Sequence, residues 1–210
     1  MKKQPTVIVL AAGSGSRFKG NAHKLLQPFD NTTVLGSTLK HAIETGLPMR
    51  VVTMPGLTSQ AARHVALRDI VELPDPSQPG SARLGMGFSI ANGVSASADA
   101  AGWLILPADM PMVRPATLLA VAAQLPLHAV VFAQYQGRRG HPVGFSAELF
   151  SELVQLTGDE GARRVAARYP SFGLEVDDPG VLVDVDTADD LAGLIERTDR
   201  TGIDGHRAST

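Results

Sequence analysis

Residues 6–18 read TVIVLAAGSGSRF, a β-branched apolar run that passes directly into a glycine-rich turn. The run Thr6–Ala11 is continuous, without the alternation of polar and apolar residues that marks a half-exposed strand. Continuity of this kind is typical of a strand that is buried on both faces of a parallel sheet. The stretch therefore predicts a first buried strand, with the glycine-rich turn at its carboxyl end.

The rest of the chain alternates short apolar runs with stretches of helical pattern. Further strands are predicted at Met49–Thr53, Asp69–Leu73, Trp103–Leu106, Ala129–Ala133 and Val181–Val185. Helices are predicted at Val34–Thr45, Ser59–Leu67, Ser89–Ala98, Ala116–Gln124, Glu148–Leu156, Ala162–Tyr169 and Ala188–Arg197. This alternation favours an α/β fold with a mainly parallel, doubly wound sheet. Ligands of such sheets bind beyond the carboxyl ends of the strands, so a site is expected in the segments that follow them.

Length, composition and charge narrow the class of protein. The 210 residues are 44% hydrophobic and 19% charged, which predicts one globular domain over residues 1–197 and a polar C-terminal tail over 198–210. The absence of cysteine excludes disulfides, thiolate metal sites and cysteine nucleophiles. A formal net charge of −2 offers no basic surface for nucleic acid or for an anionic membrane.

Neither a membrane span nor a secretory signal is expected. No apolar run approaches the roughly 18–20 residues of a membrane span. The apolar run behind Lys2 and Lys3 is shorter than the core of a signal peptide and leads into a polar loop. The expected compartment is the cytoplasm.

The turn after the first strand is followed by two cations. Gly13 and Gly15 allow the backbone to point its N–H groups at an anion, and Arg17 and Lys24 add the positive charge that complements a polyphosphate. The dinucleotide-binding fingerprint fails because Phe18 stands where its third glycine belongs, and the P-loop pattern fails because its lysine is missing. An ordinary glycine-rich strand–helix turn is the alternative.

Asp109 follows the predicted strand Trp103–Leu106, between the two prolines of LPADMP (residues 106–111). A carboxylate at the carboxyl end of a strand is well placed to hold Mg²⁺ on a bound triphosphate. A turn aspartate that bonds to its own backbone is the alternative.

A second pair of carboxylates follows the predicted strand Val181–Val185. Alternation along a strand places Asp184 and Asp186 on one face, where they could supply a second metal ligand. The alternative is that Asp186 or Thr187 caps the following helix, whose first turn is also acidic.

The segment GRRGHPV, residues 137–143, places Arg138 and Arg139 between two glycines and His141 directly after the second. Two arginines beside a histidine indicate an arm for an anionic substrate, or a mobile loop over the site. A solvated hairpin turn is the alternative. Neither a G-x-S-x-G elbow nor an H-E-x-x-H motif occurs in the chain.

Together these segments resemble the nucleotidyltransferases of the molybdopterin-dinucleotide type, and most closely the molybdenum cofactor cytidylyltransferase branch. The resemblance runs from about Thr6 to Leu194 and rests on Leu10–Phe18, Lys24–Leu26, Gly85–Gly93, Ala108–Pro111, Arg139–Val143, Gly158–Arg163 and Asp184–Thr187. The first loop alone is shared with sugar-phosphate and isoprenoid-precursor nucleotidyltransferases. Two departures are the longer path through Gly20–His23 and Ala108 in place of a common glycine.

The resemblance implies a three-layer Rossmann-like nucleotidyltransferase fold with a mainly parallel twisted sheet. It implies transfer of CMP from CTP to the terminal phosphate of molybdopterin cofactor, with release of pyrophosphate, and a molybdoenzyme or its chaperone as a partner. Ala12 resembles the cytidylyl branch, because the guanylyl branch usually has a second glycine at that position. Guanylyl or other NTP transfer to a different phosphorylated small molecule, and a non-catalytic carrier of the cofactor, are the alternatives.

The resemblance also implies roles for individual residues. Arg17 and Lys24 would neutralise the triphosphate and the leaving pyrophosphate, and Asp109 would complete the catalytic set. Mg²⁺, or Mn²⁺ in its place, would be held by Asp109 and Asp186. The acceptor would lie beside Arg139 and His141. The nucleotide would be bound by Ala11, Ala12, Gly13, Ser14, Gly15, Ser16, Gly85, Gly87 and Ser89.

Overall fold

The computed structural model describes residues 3–13, 23–75 and 85–204. Its strands are β1 (Thr6–Ala11), β2 (Pro28–Phe29), β3 (Thr32–Thr33), β4 (Met49–Thr53), β5 (Ile70–Glu72), β6 (Gly102–Pro107), β7 (Val130–Tyr135), β8 (Arg138–Ser146) and β9 (Ser171–Glu175). Its α-helices are α1 (Val34–Glu44), α2 (Pro55–Ala61), α3 (Met86–Ser95), α4 (Pro115–Gln124), α5 (Phe150–Leu153), α6 (Arg163–Arg168) and α7 (Ala188–Asp204). Short 3₁₀ turns lie at Lys24–Leu26, Leu67–Asp69, Ala147–Leu149 and Pro179–Leu182.

One sheet contains seven of these strands, in the order β5-β4-β1-β6-β8-β7-β9. Strand β1 pairs in parallel with β4 and β6, whereas β8 is antiparallel to both of its neighbours, β6 and β7. The outer pairs β4–β5 and β7–β9 are parallel. Only β8 therefore runs against the others within this sheet, and the prediction of a mainly parallel sheet is confirmed.

The side chains of β1 divide between two hydrophobic cores, one on each face of the sheet. Val7 and Val9 are buried in the core that holds the apolar side of α1, α4 and α7. Ile8 is buried in the other core, which holds the apolar side of α3, α5 and α6. Helices cover both faces, so the fold has the three layers that were expected, and the continuous apolar run of β1 follows from burial on both sides.

Two predicted strands, Thr6–Ala11 and Met49–Thr53, are confirmed with the same first and last residues as β1 and β4. The prediction of a strand at Val181–Val185 is wrong. Pro179–Leu182 forms a 3₁₀ turn instead, and the Asp178 carboxylate accepts a hydrogen bond from the Gly180 N–H where the turn begins. The valines of this segment are apolar because the turn buries them against the core, not because they belong to a strand.

Strands β8 and β9 were not predicted. Strand β8 begins with arginines, glycine, histidine and proline, a composition that is typical of a loop. A two-residue turn at Gln136 and Gly137, with φ of 49° and 75°, connects β7 to β8. Positive φ at both positions matches the twist of a tight hairpin, so the segment forms a hairpin, and a role of its arginines and histidine towards a substrate remains a prediction.

Helix α7 continues to Asp204, beyond Arg197 where the predicted helix ends. Residues 205–210 lie outside the described part of the chain, and the division into a domain and a tail remains a prediction. Within the described ranges, every helix is too short or too polar to cross a lipid bilayer.

Candidate active site

A cavity of about 850 Å³ opens at the carboxyl ends of β1 and β6, next to the β7–β8 hairpin and the start of α3. This is the edge of the sheet where parallel strands bind ligands. Nine residues of the predicted site line it: Ala12, Gly13, Lys24, Gly85, Ser89, Asp109, Arg139, His141 and Asp186. The structure therefore brings together most of the side chains that the sequence singled out.

Two predicted nucleotide-binding residues do not line the cavity. Ala11 is fully buried in β1. Gly87 donates its N–H to the Gly158 carbonyl at 2.9 Å, and a Cβ on Gly87 would lie 2.7 Å from the Thr157 oxygen. Gly87 is therefore explained by close packing of α3 against the loop before α6. The predicted residues Ser14, Gly15, Ser16 and Arg17 lie outside the described part of the chain.

Lys24, Asp109 and Asp186 form one ion-paired group, which we call the Lys24 cluster. The Lys24 Nζ lies 2.6 Å from Asp109 Oδ2 and 2.8 Å from Asp186 Oδ1. The three side chains are 12%, 18% and 29% exposed, so these pairs are shielded from solvent more than ordinary surface salt bridges.

Lys24 opens the 3₁₀ turn Lys24–Leu26, which is held against the end of β1 by His23. The His23 Nδ1 accepts a hydrogen bond from the Leu25 N–H at 3.2 Å, and its Nε2 donates to the Gly13 carbonyl at 3.0 Å. Because Lys24 directly follows His23, these two hydrogen bonds fix the backbone of the lysine relative to Gly13 at the end of β1.

Asp109 and Asp186 are joined through the backbone. The Ala108 N–H donates to the Leu10 carbonyl at 3.0 Å, which ties Asp109 to the end of β1. The Val185 N–H donates to the Asp109 carbonyl at 2.9 Å, which brings Asp186 to the same place. These bonds explain how residues far apart in sequence share one lysine.

For the segment before α7, the helix-cap interpretation is confirmed at Thr187. The metal-ligand interpretation remains a prediction, and the segment is not the strand that would place Asp184 and Asp186 on one face. Thr187 caps the helix: its hydroxyl accepts from the Asp190 N–H at 3.1 Å, and the Asp190 Oδ2 accepts from the Thr187 N–H at 2.7 Å. The Thr187 hydroxyl also donates to Asp190 Oδ2 at 2.8 Å, and this bond, together with the one from the Thr187 N–H, lowers the pKa of the Asp190 carboxyl. The Asp186 side chain is left to face the cavity and Lys24.

The charges of the Lys24 cluster shift the pKa of its neighbours. Burial by itself would lower the pKa of Lys24, but hydrogen bonds to Asp109 and Asp186 and their negative charges outweigh it, so the pKa is raised. Burial raises the pKa of Asp184, and the charges of Asp186 and Asp109 raise it further. The lysine is held as an ammonium among carboxylates that compete for its charge.

His141, on β8, lines the cavity near these carboxylates. Burial lowers the pKa of its imidazole, against the opposing influence of the Ile105 backbone, Asp109 and Asp184. The ring Nδ1 is buried and has no hydrogen-bond partner among the described residues. Burial therefore disfavours the charged form of His141 beside the carboxylates of the Lys24 cluster.

Three arginines also line the cavity, and we call Arg138, Arg139 and Arg163 the arginine wall. The guanidinium of Arg139 lies 4.7 Å from the centre of the Phe132 ring. Arg163 comes from the start of α6 and lines the cavity together with Asp159. The sequence analysis assigned no role to Asp159 or Arg163, although both lie in the segment Gly158–Arg163 on which the family resemblance partly rests.

Two members of the Lys24 cluster, Asp109 and Asp186, are carboxylates of the type that bind divalent cations. Within the described ranges, no three His, Cys, Asp or Glu side chains are arranged to hold a metal ion. Asp109 Oδ2 and Asp186 Oδ1, however, already converge on one cationic atom, Lys24 Nζ. Mg²⁺ is commonly bound by one or two carboxylates together with substrate phosphates and water, so these two carboxylates fit it.

Two curated proteins are similar in sequence. Purine catabolism protein PucB of Bacillus subtilis (strain 168) is 29% identical over 199 residues, which cover 87% of this chain and 92% of PucB. The bifunctional protein GlmU of Stenotrophomonas maltophilia (strain R551-3) is 32% identical over 136 residues. That match covers 64% of this chain and spans 29% of the length of GlmU.

A solved structure shares both fold and sequence with this chain. Rv0371c from Mycobacterium tuberculosis H37Rv has a TM-score of 0.76 and 32% identity, over 93% of this chain and 99% of that protein. Rv0371c has also been crystallised in complex with manganese, and that structure matches with a TM-score of 0.72. The family described as the MobA-like NTP transferase domain matches residues 7–172. The match covers most of the chain and agrees with the three-layer fold, so the chain belongs to this family of nucleotidyltransferases.

Proposed function

We propose that this nucleotidyltransferase transfers CMP from CTP to the terminal phosphate of molybdopterin cofactor and releases pyrophosphate. The observation that carries the proposal is the Lys24 cluster, which faces the same cavity as the Ala12–Gly13 turn at the end of β1. Family membership supports nucleotidyl transfer, and the resemblance of the motifs to the cytidylyltransferase branch supports CTP and the molybdopterin acceptor.

In this reaction an oxygen of the acceptor phosphate attacks the α-phosphorus of CTP, and the bond between that phosphorus and the bridging oxygen to the β-phosphate breaks. The acceptor phosphate is already anionic, so the step requires positioning and charge stabilisation more than a nucleophilic side chain. Lys24 would neutralise charge on the phosphates, and its two carboxylate partners hold its Nζ in place. Arg17 remains a predicted second cation.

Asp109 and Asp186 would hold Mg²⁺, or Mn²⁺ in its place. When bound, the metal would supply positive charge to the triphosphate and to the departing pyrophosphate. The manganese complex of Rv0371c supports the use of a divalent cation by a related protein. His141 and Arg139 would face the acceptor, as both line the same cavity.

The choice of base rests on Ala12. Its side chain lies at the cavity where the strand β1 ends, so its methyl group occupies space that a glycine would leave open. We propose that this methyl group favours the smaller pyrimidine. Transfer of GMP or another nucleotide remains the competing outcome.

A nucleotide panel tests the proposal. Thermal unfolding is followed with CTP, GTP, ATP, UTP and NADPH, each with Mg²⁺, with Mn²⁺ and without metal. Ligand at about 100 times Kd stabilises by roughly 2.7 kcal/mol, which is about 5–11 °C for a chain of this size. A metal-dependent shift with CTP, followed by CTP-dependent pyrophosphate release with molybdopterin cofactor, is the expected result.

The matched variants are Asp109→Asn and Asp99→Asn, because Asp99 is an exposed aspartate on the turn that precedes β6. Asp109→Asn should lose the metal-dependent part of the shift and most of the pyrophosphate release, whereas Asp99→Asn should behave as wild type. A shift with GTP would replace the cytidylyl assignment by a guanylyl one. No response to any nucleoside triphosphate would refute the proposed reaction.

A further inference from the structure

The Lys24 ammonium lies at the point on which the two carboxylates of its cluster converge. Asp109 Oδ2 is 2.6 Å from the Lys24 Nζ, and Asp186 Oδ1 is 2.8 Å from it. Two carboxylate oxygens from different segments are thus directed at one atom. A divalent cation held by the same oxygens needs that point for itself, because Mg²⁺ binds its oxygen ligands at about 2.0–2.1 Å. The lysine and the cation therefore exclude each other at these oxygens.

The two acids are anchored through the backbone beside them. The buried hydroxyl of Thr38 donates to the Ala108 carbonyl at 2.9 Å, and the Val185 N–H donates to the Asp109 carbonyl at 2.9 Å. The Lys24 Nζ, by contrast, reaches the acids on a flexible four-carbon stem. A rearrangement of the cluster is therefore expected to move the lysine side chain and to leave the acids where they are.

The charges of the cavity favour this rearrangement when cation and triphosphate bind together. The cluster pairs one ammonium with two carboxylates. A divalent cation by itself would take both carboxylates from the ammonium and leave it in a cavity that also contains three arginines. A triphosphate offers the lysine new anionic partners through charge-assisted hydrogen bonds. Cation and triphosphate together thus replace every ion pair that the rearrangement breaks, and the cation alone does not.

We propose that Lys24 and a divalent cation compete for Asp109 and Asp186, so that the lysine leaves both carboxylates when the cation is bound and passes to the phosphates of the nucleotide. The inference rests on the proposed function for the cation and the phosphates. It adds that the two acids hold the Nζ in place only until the cation replaces it. The protein by itself should bind a divalent cation weakly, and cation and nucleotide should strengthen each other's binding by the same factor.

The test measures binding of Mn²⁺ alone to the full chain, at constant ionic strength, by titration calorimetry and by electron paramagnetic resonance of the free ion. Lys24→Met removes the ammonium and keeps an unbranched stem, so it should bind Mn²⁺ at least about tenfold more tightly than wild type. Lys24→Arg keeps a cation beside the acids and should gain much less. Addition of Asp109→Asn to Lys24→Met should abolish the gain, which assigns the bound ion to the cluster.

The matched control is Arg163→Gln, which removes the same formal charge from the same cavity but leaves Lys24 in place. It should bind Mn²⁺ much as wild type does. The proposal is overturned if Lys24→Met binds Mn²⁺ no more tightly than wild type. It is also overturned if Arg163→Gln gains as much as Lys24→Met, because the net charge of the cavity would then explain the effect.

A second measurement uses wild type and does not depend on the folding of a variant. Lysine amines are acetylated with limiting acetic anhydride, and the extent at each lysine is determined by mass spectrometry. Mn²⁺ should increase the acetylation of Lys24, because its Nζ has left the carboxylates, and CTP added with Mn²⁺ should protect it again. Lys40 is exposed on α1 and should not change. Binding of Mn²⁺ without increased acetylation of Lys24 would contradict the competition.

Binding of CTP at saturating Mn²⁺ tests where the lysine goes. Lys24→Met should bind CTP about tenfold more weakly than wild type, because the phosphates lose the ammonium. Equal affinity would overturn the passage of Lys24 to the phosphates.

These results separate the two proposals. If Lys24→Met gains affinity for Mn²⁺ but wild type binds no nucleoside triphosphate, the proposed reaction fails and the competition for the carboxylates stands. If CTP binds with metal but Lys24→Met binds Mn²⁺ as wild type does, the reaction stands and the competition is wrong.

Discussion

The Lys24 cluster and the arginine wall line one cavity, but they differ in how their charges are neutralised. The charges of the first are paired within the protein, and most of those of the second are not. Every charge of the Lys24 cluster has a partner inside the protein, at 2.6 and 2.8 Å, and its side chains are largely shielded. Two of the three arginines have no described partner and stand in the open cavity. The side chains of the Lys24 cluster are therefore preorganised by their own ion pairs, whereas Arg138 and Arg163 are available to bind an anion from solution.

The largest effect is expected from Lys24→Met, which breaks the preorganised side. Asp109 and Asp186 would then face each other without a cation, so the free energy of unfolding should fall by about 1–3 kcal/mol. Pyrophosphate release should fall by about 10²–10³-fold. Lys40→Met is the control, because Lys40 is an exposed lysine on α1. Equal stability of the two variants in urea unfolding would show that the pairs add nothing to folding.

A smaller effect is expected from Gly140→Ala, which displaces the arginine side without removing a charge. A Cβ at this position would lie 2.0 Å from the Val181 carbonyl oxygen, so β8 must move away from the Pro179–Leu182 turn. The free energy of unfolding should fall by about 1–3 kcal/mol because the two packed backbones must separate. Gly193→Ala is the control: nothing lies within 4 Å of its added Cβ, and an alanine within α7 should stabilise by about 0.5–1 kcal/mol. Urea unfolding of both variants measures the two changes in unfolding free energy. A loss for Gly140→Ala without a loss for Gly193→Ala shows that the clash at β8 is the cause.

The smallest effect is a pH dependence that arises where β8 passes the Lys24 cluster. The pKa of His141 is lowered from 6.5 by burial, so the folded chain binds its proton less readily than the unfolded chain does. Stability from this group is therefore complete above the unfolded pKa and is lost as the pH falls below it. His141→Gln should reduce the difference in unfolding free energy between about pH 7.5 and about pH 5.5 by up to roughly 1 kcal/mol.

The control for this prediction is His64→Gln, since the His64 side chain is exposed. Urea unfolding of both variants is measured at the two pH values. If the unfolding free energy of His141→Gln depends on pH as steeply as that of wild type, burial of the imidazole does not contribute to the pH dependence of stability.

Local pattern was sufficient to predict that the segments after β1 and β6 meet at one end of the sheet, where Ala12, Gly13 and Asp109 line the cavity. The continuous apolar run of β1 located the glycine-rich turn, and the run before Asp109 located its carboxylate. Strand β8 was not predicted because its first residues are arginines, glycine, histidine and proline, which do not favour strands. Pairing with β6 and β7 holds this segment extended in spite of its composition. The role of Gly87 escaped for a different reason: its partner Gly158 is distant in sequence, and no local pattern reports such a contact.

The segment before α7 shows how far sequence reasoning could go. Asp186 and Thr187 were equal candidates for the helix cap, since both residue types cap helices. The decision depends on the hydrogen bond from Val185 to the Asp109 backbone, which turns Asp186 towards the cavity. Only the assembled sheet supplies that information.

The Lys24 cluster joins residues that lie 85 and 162 positions apart in the chain. Closing such long loops costs chain entropy before the ion pairs can return any stabilisation. A nascent chain that has left the ribosome as far as α4 already contains Lys24 and Asp109, but it lacks their third member. The cluster can be completed only when the segment before α7 has emerged, so the protein acquires this site late in its synthesis, after most of the sheet has been made.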